Sequence, residues 1–199
     1  MEEPEFNKVC ALFGTRGVGK TPFVIGDKDH GIPGLISIYL QKGMKVLIVD
    51  TLDHPKYRKF TTLSIDMLNR FKKGVARIFA RPDMVQIINK KIEETIWNTF
   101  IVYEDAGKHQ RGSLDDTIMQ IIGDSKAKNN DILFMYHSWG QAPKDLYRYV
   151  ELIEVFKTRD HPKCRKDDMP GYYDDAVKIY DEVHKHPSRF FHKLLDTGI

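Results

Sequence analysis

Long apolar runs are missing from this sequence. No stretch approaches the roughly 18 residues that a membrane-spanning helix needs, so no transmembrane segment is expected. The opening MEEPEFNK is acidic and holds no apolar block, which argues against a signal peptide there. Cysteine is scarce: only Cys10 and Cys164 occur, far apart in the chain. Cys10 falls in an apolar run and reads as core, so no disulfide is expected and a reducing cytoplasm fits. His161 and Cys164 share a loop, but no second ligand pair accompanies them, and no zinc-type site is expected. An excess of charge of one sign is missing too. With 31 Lys and Arg against 28 Asp and Glu, the net charge is only +3, which permits a nucleic-acid partner without arguing for one. Repeats, low-complexity tracts and linkers are absent. The 199 residues, 41% hydrophobic and 30% charged, predict a single soluble domain with its core at about residues 8–160 and a C-terminal loop and helix over 161–199.

Against these absences one stretch stands out. Lys8–Phe23 reads KVCALFGTRGVGKTPF and contains Gly14-x-x-x-x-Gly19-Lys20-Thr21, a complete P-loop pattern after a strand-like segment, Val9–Phe13. Phosphate binding explains the spacing. Gly14, Gly17 and Gly19 let the backbone fold tightly with bare N–H groups aimed at an anion. Thr15, Arg16, Val18 and Pro22 complete the nucleotide-binding stretch. Lys20 is expected to carry a positive charge to the β- and γ-phosphates of ATP, and Thr21 a hydroxyl to Mg²⁺.

Strand-like and helix-like segments then alternate to the end, which predicts an α/β P-loop NTPase fold, a mostly parallel sheet with helices on both faces. Strands are expected at Lys45–Asp50, Gly74–Ala80, Thr99–Tyr103, Asp131–Tyr136 and, last, Glu151–Phe156. Helices are expected at Leu35–Gln41, Thr62–Phe71, Pro82–Trp97, Leu114–Asp124 with Ser113 as its cap, and Gly171–Lys185 with Tyr173, Val177 and Tyr180 on one face. Two strands end in acid. Thr99–Tyr103 runs into Glu104-Asp105, where one acid can hold Mg²⁺ through water and the next can orient or deprotonate an attacking water. Asp50, closing KVLIVD, is the alternative magnesium-side acid. The following Thr51–Phe60 reads as a polar loop, in which Asp53, His54 and Lys56 could touch a substrate or a neighbouring subunit. Asp131–Tyr136 ends in His137-Ser138-Trp139-Gly140-Gln141, a polar tip able to read a γ-phosphate, although His137 fits a structural role equally.

The order of these parts resembles the FtsK/HerA-type ATPases: P-loop strand, acid-tipped strand, helix, basic turn, buried strand with a polar tip, and a final VFKTRD segment. It is most similar to the compact DNA-packaging ATPases of tailless viruses and to the ATPase domain of zonular-occludens-toxin-like phage proteins, over roughly residues 8–160. The resemblance implies an ATP-driven motor acting as a homo-oligomeric ring in the cytoplasm, that of a host if the chain is viral. It gives Lys20 to phosphate, Thr21 and Glu104 to Mg²⁺, Asp105 to the catalytic base, and the polar sensor to Ser138 or His137, with Gln141 close behind. Members usually end the acidic strand Asp-Glu, where this chain has Glu104-Asp105. Their trans-acting arginine falls on Lys126 or Lys128, with Arg111 and Arg159 as other candidates.

On this reading the chain translocates or packages double-stranded DNA. Its grip is backbone contact from Lys56, Arg58 and Lys59, or from Lys108 and Arg111. Two other classes stay open: a nucleotide-binding assembly protein with little turnover, and a small nucleoside or nucleotide kinase with Lys157–Lys166 as a basic lid.

Overall fold

The computed structural model describes residues 7–79, 81–110 and 112–199. Strands β1 (Val9–Phe13), β2 (Lys45–Asp50), β3 (Thr61–Thr62), β4 (Val75–Phe79), β5 (Thr99–Glu104), β6 (Asn130–Tyr136), β7 (Leu152–Val155) and β8 (Lys193–Asp196) form one sheet in the order β3-β4-β2-β5-β6-β1-β7-β8. All neighbours are parallel except the last pair, in which Leu152 to Val155 oppose Asp196 to Lys193. β5 and β6 are buried at every position, as parallel strands covered on both faces must be.

Period-two alternation sorts the strand residues to two cores. One face gathers Leu12, Val46, Ile48, Phe100, Val102, Leu133 and Met135 under helices α1 (Lys20–Ile25) and α2 (Gly34–Gln41). The other gathers Leu47, Val49, Ile101, Tyr103, Ile132 and Phe134 under α3 (Val85–Thr95), α4 (Asp116–Gly123) and α5 (Tyr173–Lys185). In α3, Val85, Ile88 and Ile92 recur at helical spacing and are buried.

The structure corrects several expectations. Asp115, not Ser113, caps α4, accepting from Ile118 N at 2.9 Å. Thr62–Phe71 is not an α-helix: β3 is followed by a 3-10 segment, Ile65–Arg70. The buried face of α5 is Ala176 and Val183, with Tyr172 just before it, one position from the predicted stripe. The last strand is β8, which brings the C-terminal tail back along β7.

The loop after β2 is tied down by charge. Arg77 on β4, 8% exposed, reaches Asp50 Oδ2 at 3.1 Å and Asp53 Oδ1 at 3.0 Å. Asp53 also holds Arg58. Asp50 accepts from Leu52 N and His54 N, both at 3.0 Å. Removing one partner from a buried pair leaves the other charge uncompensated, which costs about 3–5 kcal/mol. Arg77→Ala is therefore expected to lose stability on that scale in urea unfolding. A loss below about 1 kcal/mol would mean that the pair is effectively solvated.

Candidate active site

The P-loop turns at the carboxyl end of β1, between β6 and β7. Gly14 N donates to Tyr136 O at 3.1 Å and Thr15 N to Lys157 O at 2.9 Å, so both neighbours of β1 hold the loop. Gly14 has no room for a side chain: a Cβ there would lie 2.7 Å from Phe156 Cβ. Gly19 sits at φ +101°, which L side chains avoid. Val18 is buried, whereas Arg16 and Gly17 are exposed. Thr15, Arg16, Gly17, Gly19, Lys20, Thr21 and Pro22 all line one cleft of about 530 Å³, with Glu104 and His137 across from them.

Lys20 is buried, and its ammonium turns back onto Gly14 O and, at 2.9 Å, Thr15 O. Burial pushes its pKa down to about 8, against the pull of Glu104 and Asp105. His137 Nδ1 lies 3.2 Å from the same ammonium. A lysine ammonium only donates, so Nδ1 accepts and the imidazole proton belongs on Nε2, 3.4 Å from Asp105 Oδ1. Burial, then Lys20, lowers the His137 pKa and keeps the ring neutral. Lys20 and His137 therefore line the cleft together, and Asp105 stands buried beyond the His137 ring, with no hydrogen bond to its Nε2.

The strand order decides which acid stands there. β5 is separated from β1 by β6 alone, whereas β2 lies one strand further out. Glu104 continues the alternation of Phe100 and Val102 and so emerges on the α1 side. There it accepts from the Tyr57 hydroxyl at 2.5 Å, and the same phenol faces the Thr21 hydroxyl. Burial raises the Glu104 pKa to about 7, opposed by the Tyr57 bond and by Lys20. Asp105 adopts a left-handed conformation, φ 50°. This turns its carboxylate away from Glu104 towards His137 and Lys108, the latter at 3.7 Å. Asp50 spends its oxygens on Arg77 and two backbone N–H groups.

Thr21 and Glu104, two hard oxygen donors facing one hydroxyl, suit Mg²⁺, which takes one or two protein oxygens and completes its shell with phosphate and water. Among the described residues no three His, Cys, Asp or Glu side chains cluster as a denser metal site would require.

The remaining candidates scatter. Ser138 lines a second cavity beside the P-loop with Gln141 and Arg159. Gln141 Oε1 accepts from His137 N at 3.0 Å and so holds the tip of β6. Arg159 is exposed on the rim of its own cleft, next to Arg16. Lys126 and Lys128 precede β6, at the sheet edge opposite the P-loop. Lys126 is exposed, and Lys128 is engaged by Glu93 and Asp124. Arg111 lies outside the described residues. Lys56 lines the cleft, Arg58 pairs with Asp53, and Lys59 lies over the Phe60 ring.

Three residues of the site escaped sequence reasoning. Tyr57 sits in the stretch that reads as a polar loop. Asp160 caps the turn after β6, accepting from Trp139 N at 3.0 Å and Gly140 N at 2.7 Å. Arg165 donates to Gly140 O and Ala142 O from the far side. The one signal available was the Asp closing VFKTRD.

The raised Glu104 pKa has a measurable consequence. The nucleotide-free folded protein keeps the Glu104 proton between pH 4.5 and about 7, where the unfolded chain has released it. This stabilisation is full below pH 4.5 and is lost as pH rises to about 7. The difference amounts to roughly 3 kcal/mol. The stability of the wild type relative to Glu104→Gln is expected to fall by up to that amount across this window. Parallel pH profiles in urea unfolding would show that Glu104 is solvated.

No family model and no curated protein sequence matches the chain. Solved structures do. The genome-packaging NTPase B204 of Sulfolobus turreted icosahedral virus 2, in complex with ATPγS, superposes with a TM-score of 0.73, covering 96% of this chain and 92% of its own at 15% identity. B204, the DNA-packaging ATPase of Sulfolobus turreted icosahedral virus, gives 0.73 over 96% and 93% at 11% identity. The N-terminal domain of zonular occludens toxin from Neisseria meningitidis covers 96% and 94% at 14% identity, with a TM-score of only 0.45. The two B204 structures are of a kind to which the sequence order pointed, and with the eight-stranded sheet they establish that the chain has the P-loop NTPase fold shared with viral genome-packaging ATPases.

Proposed function

We propose that this chain is a Mg²⁺-dependent ATPase of the genome-packaging type, which moves double-stranded DNA as a homo-oligomeric ring in a host cytoplasm. The observation that carries the reading is the convergence of Lys20, Thr21, Glu104 and His137 on one cleft, with Asp105 3.4 Å from the His137 ring. Lys20 exchanges its neutral carbonyl partners for the β- and γ-phosphates. Thr21 and Glu104 hold Mg²⁺, which when bound neutralises charge developing on the phosphoryl group. Asp105 orients and deprotonates the attacking water, and His137, standing between Lys20 and that carboxylate, reads the γ-phosphate. Ser138 and Gln141 complete the polar tip. Structures of B204 with ATPγS and with AMPPCP support nucleotide as the ligand class.

The position of the remaining cations supports the ring reading. Lys126 and Lys128, at the far edge of the sheet from their own P-loop, can meet a nucleotide only in a neighbouring subunit. Lysine lacks the bidentate fork of arginine, and Lys128 is already engaged with Glu93 and Asp124. That observation favours slow turnover and keeps the assembly-protein reading as the second choice. DNA is gripped through its phosphates by Lys56, Arg58, Lys59 and Lys108, without base reading.

The test is steady-state ATP hydrolysis at low salt, with and without double-stranded DNA and beside a nucleoside panel as phosphate acceptors. Hydrolysis stimulated by DNA, with stimulation fading as salt rises, is the expected result. Lys20→Ala should lower kcat/KM by about 100-fold or more, a transition-state loss of about 2.7 kcal/mol. Glu104→Gln should weaken the dependence on Mg²⁺, and Asp105→Asn should lower kcat with binding retained. Transfer to a nucleoside would make the protein a kinase, tight binding without turnover an assembly protein. Full activity in Lys20→Ala would remove the P-loop assignment.

A further inference from the structure

A third cavity, of about 350 Å³, opens directly beside the phosphate cleft and takes no part in the chemistry above. Gly19, Pro22, Asp27 and Phe190 line both spaces, so the two are continuous along the first turn of α1. Its floor is aromatic and fixed. The His192 ring stacks on Phe156, with centroids 4.5 Å apart and planes at 22°. Phe23 meets both rings edge-on, at 5.7 Å and 5.0 Å. His192 is in turn anchored to Glu154 through Nδ1, at 2.6 Å.

Phe190 forms the wall, and its exposure is unusual. It is 54% exposed although it sits among these buried or half-buried rings, and its edge lies 3.4 Å from where a Cβ on Gly19 would stand. The tail that carries it is pinned on both sides. Lys157 Nζ donates to His186 O at 2.5 Å before it, and β8 pairs with β7 after it. Phe190 N donates to Ser188 Oγ, and Phe191 stacks on His186. The backbone around it thus sets the ring beside the cleft, with the Arg189 guanidinium over the ring at 4.7 Å from its centroid.

We propose that this aromatic pocket binds the nucleobase of the nucleotide whose phosphates the P-loop holds, with Phe190 of the C-terminal tail as the stacking wall. The inference rests on the nucleotide reading above. Its direction comes from the loop. Lys20 and Thr21 serve the terminal phosphates, so the nucleoside end leaves past Gly19 and Pro22, the rim that both cavities share. Its chemistry comes from the walls. A flat base with an apolar face gains from stacking on rings already in place, and such stacking tolerates any base because every base has a π-face. The polar groups at the rim, Asp27 and His30, are paired with each other at 3.0 Å. Discrimination therefore follows stacking area, purine above pyrimidine, more than hydrogen-bond pattern. A strand registered on β7 thus makes a part of the chain beyond the core a component of the nucleotide site.

The test is calorimetric binding of ATPγS and of inorganic tripolyphosphate, each with Mg²⁺, to the full chain and to Phe190→Ala and Phe190→Trp. Phe190 is half exposed, so neither substitution removes a core residue. The wild type should bind ATPγS more tightly than tripolyphosphate. Phe190→Ala should lose about tenfold for ATPγS with tripolyphosphate changed less than twofold, and Phe190→Trp should bind ATPγS at least as well as the wild type. Equal affinity of the wild type for the two ligands, or unchanged ATPγS affinity in Phe190→Ala, would overturn the base pocket while leaving the phosphate site standing. An equal loss for both ligands in Phe190→Ala would overturn it too, assigning the tail to the phosphate side. A wild type that binds neither would overturn the nucleotide reading itself.

Discussion

A lysine ammonium buried at the carboxyl edge of an apolar sheet is the constraint on which the rest of this structure depends. Burying a charge is costly unless partners surround it. Lys20 meets two loop carbonyls and the His137 ring, with Glu104 and Asp105 close enough to raise its pKa against the effect of burial. Each partner arrives from a different element: the carbonyls from the P-loop, His137 from β6, the acids from β5. Parallel strands bring those ends together, because every strand of the central four, β2, β5, β6 and β1, finishes at the same edge. The fold solves an electrostatic problem and builds a site in the same step.

The acids carry the complementary strain. Glu104 and Asp105 are adjacent in sequence and both buried, an arrangement that like charges oppose. The left-handed turn at Asp105 separates them, sending one towards Tyr57 and Thr21 and the other towards His137. One carboxyl keeps its proton up to about pH 7. The two acids are thereby given different surroundings before any ligand enters, one suited to a cation and the other to a polarised water.

What was legible in the sequence was local. Strand β1 and strand β2 have their predicted bounds because an unbroken apolar run ending in Gly or Asp leaves little choice of register. The P-loop was legible because Gly14, Gly19 and Lys20 stand at a fixed spacing, and that spacing is the one the observed turn needs: no room for a side chain at Gly14 and a positive φ at Gly19. β8 was not, since KLLD has no alternation of its own and becomes a strand only where β7 offers a free edge. The face of α5 was misread by one position, because tyrosines at helical spacing are as stable half-exposed as buried. Tyr57, Asp160 and Arg165 reach the site from elements separated from it by tens of residues, and such contacts leave no periodicity to read.

The loop after β2 shows how an apparently ordinary polar segment is made part of the site. Arg77 fixes Asp50 and Asp53 beneath it, and Asp53 fixes Arg58. Between these anchors a single turn of 3-10 helix, Pro55–Tyr57, begins at His54, whose ring accepts from Lys56 N. Lys56 stands on the rim of the cleft while Tyr57, the next residue, is fully buried against Glu104. One turn therefore has a cation in solvent at one residue and the hydrogen-bond donor to Glu104 at the next. The ion pairs that hold the loop and the 2.5 Å contact of Tyr57 with Glu104 thus join the basic rim to the acid through one turn of chain.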